Sequence, residues 1–461
     1  MTPTPHAAAP ASTADADLRD IDVVVIGGGP AGSTAATLLA RAGHSVVMLE
    51  KDAHPRFHIG ESLLPMNMPI LDELGVLDEV RAIGVLKAGA DFPMPGETGR
   101  SHVFHFTRAL DPKSDFAVHV RRDQFDQLLF AHAQRNGVEA HQRTRVTDVV
   151  FGDDGRPARV EAATHDGTRL RFAPRYVIDA SGRDTFLASK LGTKRRSRTH
   201  QSAALFSHFR GVRRQPGADA GNITIARFAS GWMWMIPLPD DVMSVGAVCF
   251  PDYLKQRGAG PERLDNEALL MRTLQGIPAV RARMQAAERI APVHATGNYS
   301  YGATRMCGPG WLLVGDAYTF IDPIFSSGVF LAMDSARRGA ALVDAALHAP
   351  EREASLQRAM QAQLRRGLRH FTWFIHRFNT PVMQRLFAAP RNALQVEQAV
   401  ISMLAGDVFD NDAVRWRLYL FRMIYAMNAI AIAPRALHGW LIRRRQGLAG
   451  FRGETLHEGN P

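Results

Sequence analysis

The sequence predicts an α/β protein in three parts: a Rossmann-like dinucleotide-binding domain, a mostly antiparallel-sheet domain and a helical C-terminal region. Three observations predict these parts. A glycine-rich turn follows a buried strand near the N-terminus, alternating β-like runs fill residues 200–250, and few glycines occur after residue 350. With 461 residues, the chain is long enough for two or three lobes.

The dinucleotide-binding prediction starts from one strand and the turn that follows it. Five of the six residues from Ile21 to Ile26 are apolar, which suits a parallel strand buried on both faces. Gly27, Gly29 and Gly32 then match G-x-G-x-x-G, and helix-forming residues follow. In this pattern the first glycine permits a tight turn, the second lets a pyrophosphate approach the backbone, and the third lets the helix pack on the strand.

An acidic residue completes this unit. Glu50 stands 23 residues after Gly27, at the end of a second β-like run, where a carboxylate accepts both hydroxyls of an adenosine ribose. The start of the intervening helix offers free N–H groups to phosphate charge. A carboxylate at this position would repel a phosphate on the 2′-hydroxyl of the ribose, so a dinucleotide with a 2′-phosphate is disfavoured. The sequence therefore predicts a dinucleotide site and leaves the identity of the dinucleotide open.

The order of the remaining elements predicts five segments. We expect a disordered leader because the first residues are rich in Ala, Thr and Pro and contain no apolar signal-peptide core. The predicted segments are the leader at 1–20, the dinucleotide-binding domain at 21–190 (with substrate-domain strands near 86–120) and at 291–350, the substrate domain at 195–290, and the helical region at 351–461.

Composition and charge exclude several classes of protein. Cys249 and Cys307 are the only cysteines and lie far apart, which supports neither a disulfide framework nor a metal site and favours a reducing cytoplasm. The net charge of +10 suggests nucleic acid, but the basic runs at 194–198 and 443–445 are short and lack interleaved aromatic residues. We expect a solvated loop and a solvated C-terminal helix there, and no nucleic-acid partner.

An apolar stretch near the C-terminus raises the possibility of a membrane span. Arg417 and Arg422 interrupt residues 416–434, which leaves fewer than the ~18–20 uninterrupted apolar residues that a span needs. We expect a helix packed on the protein, whose basic end at 443–445 would allow peripheral membrane association.

Four motifs together resemble the FAD-binding fold of the aromatic hydroxylases: the glycine turn with Glu50, Arg122 at a strand-to-helix junction, AspAlaSerGly at 179–182 and GlyAspAla at 315–317. Within that superfamily the chain resembles flavin-dependent halogenases of the tryptophan-halogenase family. The resemblance implies FAD, used as FADH2, and a separate flavin reductase. It also implies the cofactor-binding residues, which are Gly27, Gly29, Ala31, Gly32, Glu50, Lys51, Arg56, Arg122, Gly315 and Asp316.

Two tryptophans carry the resemblance beyond the shared FAD fold. Residues 231–237, GlyTrpMetTrpMetIlePro, match the W-x-W-x-I-P signature of the halogenase family. Trp232 and Trp234 would face the same side of a strand. The family implies that they form a dry wall beside the flavin, which diverts its oxygen chemistry from hydroxylation towards a halide. The alternative role of such a pair is to fill a core.

Lys87 corresponds in placement to the catalytic lysine of the family, 26 residues after Glu61. An amine can hydrogen-bond hypohalous acid or form a haloamine and then deliver the halogen to an aromatic carbon, whereas a permanently protonated guanidinium serves less well. Only six of the 55 basic residues are lysines, so a lysine at this position is informative. The alternative is a solvated surface lysine.

A possible halide site follows a buried strand. Residues 320–328 match the family pattern F-x-x-P-x-x-S-x-G, and Ser327 and Gly328 open the next predicted helix. Backbone N–H groups at a helix start bind anions, and the resemblance implies chloride or bromide at this one. The alternative is a helix cap followed by a glycine hinge.

The resemblance implies an FADH2-dependent enzyme that uses O2 and chloride or bromide to halogenate an electron-rich phenolic, pyrrolic or carrier-tethered aryl substrate. The chain is shorter than free-tryptophan halogenases and has no match to their substrate-clamping acid. Three alternatives stay open: a single-component aromatic monooxygenase using FAD and NAD(P)H, a polyene or isoprenoid reductase, and a non-enzymatic flavoprotein that binds a carrier protein or membrane complex.

Overall fold

The structure is a computed structural model that describes residues 18–94, 101–196, 202–258, 263–297, 300–388, 390 and 392–431. Its first strand begins at Leu18, whereas the leader was predicted to extend to residue 20. The reason is pairing, because Leu18, Arg19 and Asp20 align with residues 171–173 of a neighbouring strand. The rest of the predicted leader lies outside the described residues.

The strands of the described residues form four sheets. In chain order they are β1 (Leu18–Ile26), β2 (Val46–Leu49), β3 (Gly84–Lys87), β4 (Gly89–Pro93), β5 (Ser101–His105), β6 (Ala117–Val120), β7 (Glu139–His141), β8 (Thr144–Phe151), β9 (Pro157–Thr164), β10 (Arg169–Asp179), β11 (Lys194–Arg196), β12 (Ala203–Arg210), β13 (Ile223–Phe228), β14 (Gly231–Pro237), β15 (Val242–Cys249), β16 (Glu288–Arg289), β17 (His294–Gly297), β18 (Tyr301–Ala303), β19 (Cys307–Gly308), β20 (Trp311–Leu313) and β21 (Thr319–Phe320).

The helices alternate with strands in the first half of the chain and dominate after residue 327. They are α1 (Pro30–Arg41), α2 (Met68–Glu73), α3 (Leu77–Ala82), α4 (Arg122–Arg135), α5 (Phe186–Lys190), α6 (Pro251–Lys255), α7 (Asn266–Gln275), α8 (Pro278–Arg283), α9 (Ser327–His348), α10 (Glu353–Arg377), α11 (Pro381–Ala388), α12 (Val396–Ala405) and α13 (412–431).

The first sheet is the predicted Rossmann-like sheet. Strands β20, β10, β1, β2 and β7 are neighbours in that order and run parallel. The buried side chains of β1 and β2 lie in one core with α1 and α9. Ligands of such sheets bind outside the carboxyl ends of the strands. The glycine turn after β1, Glu50 after β2 and Ala180 after β10 therefore gather at one edge.

The second sheet confirms the predicted antiparallel domain. Its strand order is β16-β12-β15-β14-β13-β4-β5, and all neighbours are antiparallel except β13 with β4. Its two faces enter different cores: Met233 and Met235 pack in a small core with α7, whereas Trp232 and Trp234 join the core of the first sheet. Both tryptophans thus share one face of β14, as their spacing predicted, and this face packs against the dinucleotide-binding domain.

One basic run is not the loop that the sequence predicted. Lys194–Arg196 form β11, which pairs with β18, and residues 197 and 198 lie outside the described residues. The ammonium of Lys194 lies 4.5 Å from the centre of the Tyr301 ring. Cross-strand pairing and this cation–π contact explain why charged residues form a strand here.

The C-terminal region is helical as predicted over the described residues. Helix α13 packs on α10, where the Phe421 and Phe374 rings are stacked 5.1 Å apart. Among the described residues, no helix is long and apolar enough to span a membrane. The basic run at 443–445 lies outside them.

Candidate active site

A cavity of about 320 Å³ opens at the carboxyl ends of β1, β2 and β10 and is lined by residues from both large sheets. It brings together most of the side chains that the sequence singled out. The predicted site residues that line it are Gly27, Gly29, Ala31, Glu50, Lys51, Arg56, Arg122, Trp232, Trp234, Asp316 and Gly328. Gly32, Lys87, Gly315 and Ser327 are absent from its lining.

The three glycines of the turn differ in the space around them. Gly27 has a φ of +99°, and a Cβ there would lie 2.5 Å from the carbonyl oxygen of Ala180. A Cβ on Gly32 would lie 1.9 Å from the carbonyl oxygen of Gly27. By contrast, the nearest atom to a Cβ on Gly29 is Arg56 Nη2 at 3.7 Å. The first and third glycines therefore close the turn, and the second leaves space where a phosphate would approach.

Glu50 is held against this turn by backbone donors. Its Oε2 accepts a hydrogen bond from Gly28 N at 2.8 Å, and its Oε1 accepts one from Asp52 N at 2.9 Å. A carboxylate oxygen has two lone pairs, so both oxygens can still accept a ribose hydroxyl. Helix α1 has no side-chain cap, which leaves its first N–H groups available to a phosphate.

Two arginines at the cavity differ in how freely they can reach a ligand. Arg122 donates to both Asp126 oxygens, at 2.7 and 2.9 Å, and to the carbonyl of Ile59 at 2.7 Å. Burial opposes ionisation of Asp126, but the Arg122 charge lowers its pKa overall. Arg56 lies 3.6 Å from Glu50 and 3.8 Å from both Asp52 and Asp126, and its buried Nε has no hydrogen-bond partner among the described residues. Arg56 is therefore held less tightly than Arg122, which fixes the adjacent loop.

The remaining cofactor candidates lie at the ends of β2 and β20. Lys51 forms an ion pair with Asp184 at the cavity wall. Gly315 has a φ of +57° and donates its N–H to Ser335 Oγ at 2.8 Å, which turns the chain after β20. Asp316 then faces the cavity, and burial raises the pKa of its carboxyl to about 7.

The two tryptophans form one aromatic wall of the cavity. Their ring centres are 5.8 Å apart, and Phe206 lies 5.9 Å from Trp234. The indole N–H of Trp234 donates to Ser244 Oγ at 3.2 Å. The buried indole N–H of Trp232 has no partner among the described residues. The pair therefore borders the cavity and also fills the core between the sheets.

Lys87 is buried, so the alternative of a solvated surface lysine is wrong. Only 2% of the residue is exposed. Its Nζ donates to Ser62 Oγ and to the carbonyl oxygen of Leu63, each at 3.0 Å. Ser62 lines the cavity, so the amine lies one residue behind its wall. Burial lowers the pKa of Lys87 to about 7.

The predicted halide residues open helix α9. Ser327 and Gly328 are its first two residues, and no side chain caps it. Gly328 lines the cavity together with Ser326, whose φ of +55° turns the chain into the helix. The buried Ser327 Oγ has no partner among the described residues. This arrangement leaves free N–H groups at the cavity edge, as anion binding requires.

A buried acid–histidine pair at the cavity wall was not predicted from the sequence. Glu61 lines the cavity with 1% exposure, and its Oε1 lies 2.6 Å from His208 Nε2. Its Oε2 has no hydrogen-bond partner among the described residues. Glu61 lies in a loop and His208 lies 147 positions later on β12, so sequence spacing carries no signal for the pair.

These features together define an FAD-binding protein with a site shared between a Rossmann-like sheet and an antiparallel sheet. In agreement, the FAD binding domain family matches residues 20–362. The chain is 36% identical over 327 residues to a tryptophan 2-halogenase from Chondromyces crocatus, covering 70% of this chain and 60% of that protein. This chain therefore spans less than two thirds of that relative.

Two other similar proteins are covered by this chain over nearly their whole length. The chain is 30% identical to a 1H-pyrrole-2-carbonyl-[peptidyl-carrier protein] chlorinase from Pseudomonas fluorescens, over 85% of this chain and 90% of that protein. The solved structure of the myxobacterial chondrochloren halogenase CndH matches with a TM-score of 0.73 and 32% identity, over 87% of this chain and 96% of that one. The chain belongs to the family of flavin-dependent halogenases.

The glycine geometry predicts separable effects of two alanine substitutions. Gly29 has a φ of −79°, which alanine adopts freely, so Gly29→Ala should leave the melting temperature of the FAD-free protein unchanged. The new methyl group would occupy the phosphate space and weaken FAD binding about tenfold or more. Gly32→Ala should instead destabilise the fold by about 1–3 kcal/mol through overpacking. Thermal melting and FAD titration of both variants measure this, and unchanged FAD affinity in Gly29→Ala would contradict it.

The buried amine predicts a pH-dependent stability difference. Because the pKa of Lys87 is lowered to about 7 in the folded protein, the unfolded chain binds more protons between about pH 7 and 10. Wild-type stability then rises with pH across this window, and the full cost of burying the ammonium is present below it. Lys87→Met removes that cost, so its melting temperature relative to wild type should be highest near pH 6 and decline towards pH 9.

The matched control is Lys113→Met, since the side chain of Lys113 is 53% exposed and stays hydrated in both states. Its difference from wild type should not vary with pH. A Lys87→Met difference that is equally flat across pH would show that the ammonium is not destabilised by burial.

Proposed function

We propose that this protein is an FADH2-dependent halogenase that uses O2 and bromide or chloride to halogenate an electron-rich aromatic ring. The observation that carries the proposal is the Lys87 amine, which is buried behind Ser62 at the wall of a cavity that also contains both tryptophans. A buried amine whose pKa is lowered to about 7 is partly uncharged at neutral pH, and only an uncharged nitrogen has a lone pair for a halogen.

The cofactor fits the residues that are present. Gly29 leaves space for a phosphate, Glu50 offers acceptors to a ribose, and the Nε of Arg56 beside them has no hydrogen-bond partner among the described residues. Bound FADH2 would activate O2, and O2 would then accept two electrons from FADH2 and two from the halide, which becomes an electrophilic halogen. The protein contributes the binding, the orientation and the exclusion of water.

The start of α9 supports a halide site. The free N–H groups of Ser327 and Gly328 would bind chloride or bromide where the helix opens onto the cavity. Trp232 and Trp234 form the dry aromatic wall of the same cavity. The Lys87 amine would then hold hypohalous acid by a hydrogen bond or carry the halogen as a haloamine, and pass it to the aromatic ring.

The substrate class and the partner follow from the relatives and the sequence. The chlorinase from Pseudomonas fluorescens is named for a pyrrole held on a peptidyl carrier protein. We extend this class to phenolic, pyrrolic or carrier-tethered aryl rings for the present chain. We propose that a separate flavin reductase supplies FADH2, as the resemblance to the halogenase family implies, and the single dinucleotide fingerprint in the sequence is compatible with this.

The test supplies FADH2, O2, bromide and a panel of phenols to the purified protein, and measures brominated products by mass spectrometry. We expect bromination by the wild type and a loss of about 100-fold or more in Lys87→Ala. Lys87→Arg should fail as well, because a guanidinium stays protonated. Lys113→Ala is the matched control and should brominate like the wild type.

Two measurements keep this test decisive. FAD affinity and the circular dichroism spectrum of Lys87→Ala must match the wild type, which separates lost chemistry from lost folding. Bromination that survives in a folded Lys87→Ala would contradict the role of Lys87. Rapid flavin reduction by NADPH alone with hydroxylated product would instead indicate a monooxygenase, and anaerobic turnover without halide would indicate a reductase.

We also propose that helix α13 associates with an anionic membrane surface. Five of its apolar residues are exposed at spacings of 3, 4, 4 and 3, which places them along one face: Trp416, Tyr419, Met423, Met427 and Ile430. Arg417 and Arg422 lie on the same helix, with their guanidinium groups over the rings of Trp416 and Tyr419. An apolar face with flanking cations is typical of helices that lie in a lipid interface.

Sedimentation with phosphatidylcholine vesicles, with and without phosphatidylglycerol, measures this association. We expect binding to the anionic vesicles, weakened about tenfold or more by the double change Met423→Glu and Ile430→Glu. Ile290→Glu changes an exposed apolar residue outside α13 and should have no effect. Vesicle binding that the double variant retains, or self-association in place of vesicle binding, would contradict the proposal.

A further inference from the structure

Arg227 on β13 is a cation without a counter-ion among the described residues. Its Nη2 is enclosed and has no hydrogen-bond partner there. The guanidinium lies instead against aromatic rings, with its central carbon 3.8 Å from the centre of Phe378 and 5.3 Å from that of Phe387. Burial lowers the pKa of Arg227 to about 9, which reflects how poorly its charge is solvated.

Two arginines that are more deeply buried than Arg227 have hydrogen-bond partners within the protein. Arg283 donates to the carbonyl of Arg213 at 2.6 Å and to Thr224 Oγ1 at 2.7 Å. Arg122 has its two hydrogen bonds to Asp126. Arg227 has no comparable hydrogen bonds among the described residues. Its side chain is only partly buried, but an enclosed guanidinium nitrogen without an acceptor disfavours folding, and such groups occur where a ligand supplies the acceptor.

A neighbour of Arg227 also has an N–H donor without a hydrogen-bond acceptor among the described residues. The strand register pairs it with Trp232, and residues directly opposite each other in an antiparallel pair point to the same face. The buried indole N–H of Trp232 also has no acceptor among the described residues. Two adjacent side chains therefore present N–H donors without an acceptor, and Trp232 lines the cavity.

The surroundings of these donors are aromatic. Phe378, which follows α10, lies 5.6 Å from Phe325, and Phe325 directly precedes the turn into α9. Phe387 lies 5.9 Å from Phe378. The donors thus lie between the proposed halide loop and the C-terminal helices. Arg227 and these phenylalanines are absent from the lining of the cavity, and Trp232, opposite Arg227, connects them to it. N–H donors beside aromatic rings suit an aromatic ring that bears an anionic oxygen.

We propose that Arg227 and the indole N–H of Trp232 bind the anionic oxygen of the aromatic substrate, either a phenolate or a ring carboxylate. This inference rests on the proposed function, because only the proposed function says that the substrate is aromatic. A phenolate ring is more electron-rich than the neutral phenol, so a cation that favours the phenolate would also favour attack by an electrophilic halogen. Arg227 would then decide which aromatic compounds the enzyme accepts.

The test measures ligand binding to the FAD-loaded enzyme by isothermal titration calorimetry. The probes are 4-methoxybenzoate for the carboxylate, pentafluorophenol for the phenolate, and neutral 4-methylanisole. We expect the wild type to bind at least one anionic probe about tenfold or more tightly than the neutral one. Arg227→Gln should abolish this preference, and Arg227→Lys should retain part of it.

The matched control is Arg210→Gln, which removes an exposed arginine at the end of β12 and should keep the preference for anions. Unchanged FAD affinity and melting temperature in Arg227→Gln show that the site is intact. A preference confined to the carboxylate or to the phenolate supports the proposal and identifies the group.

The proposal is overturned if the wild type shows no preference for anionic probes, or if Arg227→Gln keeps the wild-type preference. The binding result is independent of halogenation. A wild type that prefers anions through Arg227 but does not brominate would refute the proposed function and leave the anion site standing, whereas bromination without an anion preference would do the reverse.

Discussion

Five residues, Ile59–Leu63, are held from three sides, and the arrangement of the site depends on this segment. Arg122 of the first domain binds the carbonyl of Ile59, His208 of the antiparallel sheet pairs with Glu61, and Lys87 binds Ser62 and Leu63. The backbone adds bonds from Leu63 N to Val118 O and from Val120 N to Glu61 O. The segment therefore ties the cofactor half of the cavity to the half that would hold the substrate.

Two cations near this segment and the cavity have no carboxylate partner among the described residues. Lys87 is buried with neutral partners only, and Arg227 faces aromatic rings without a counter-ion among the described residues. By contrast, Arg122 and Lys51 are paired with carboxylates at the cofactor end. Arg122 and Lys51 are thus neutralised by carboxylates, whereas Lys87, which also holds the Ile59–Leu63 segment, and Arg227 have no carboxylate partner within the part of the chain that the structure describes. The paired cations lie where FAD would bind, and the unpaired cations lie towards the proposed substrate side of the cavity.

Local patterns predicted much of the fold and the cofactor end of the site. Gly27 and Gly32 were assigned from spacing because backbone conformation and close packing leave only glycine possible there. The common face of Trp232 and Trp234 followed from the alternation of a strand. The pairing of Glu61 with His208, the missing partners of Arg227 and the β-strand at Lys194–Arg196 were not predictable, because each depends on contacts between residues far apart in the chain.

The central claim is that the protein keeps a partly uncharged amine at Lys87 inside a halogenating site near neutral pH. Only six lysines occur in the chain, so lysine-labelled protein gives few signals in an NMR titration. The signal that is absent from Lys87→Met should titrate with a pKa of about 7. If that signal titrates near the ordinary lysine value of about 10.4, the amine is charged throughout the neutral range and the account of Lys87 is wrong.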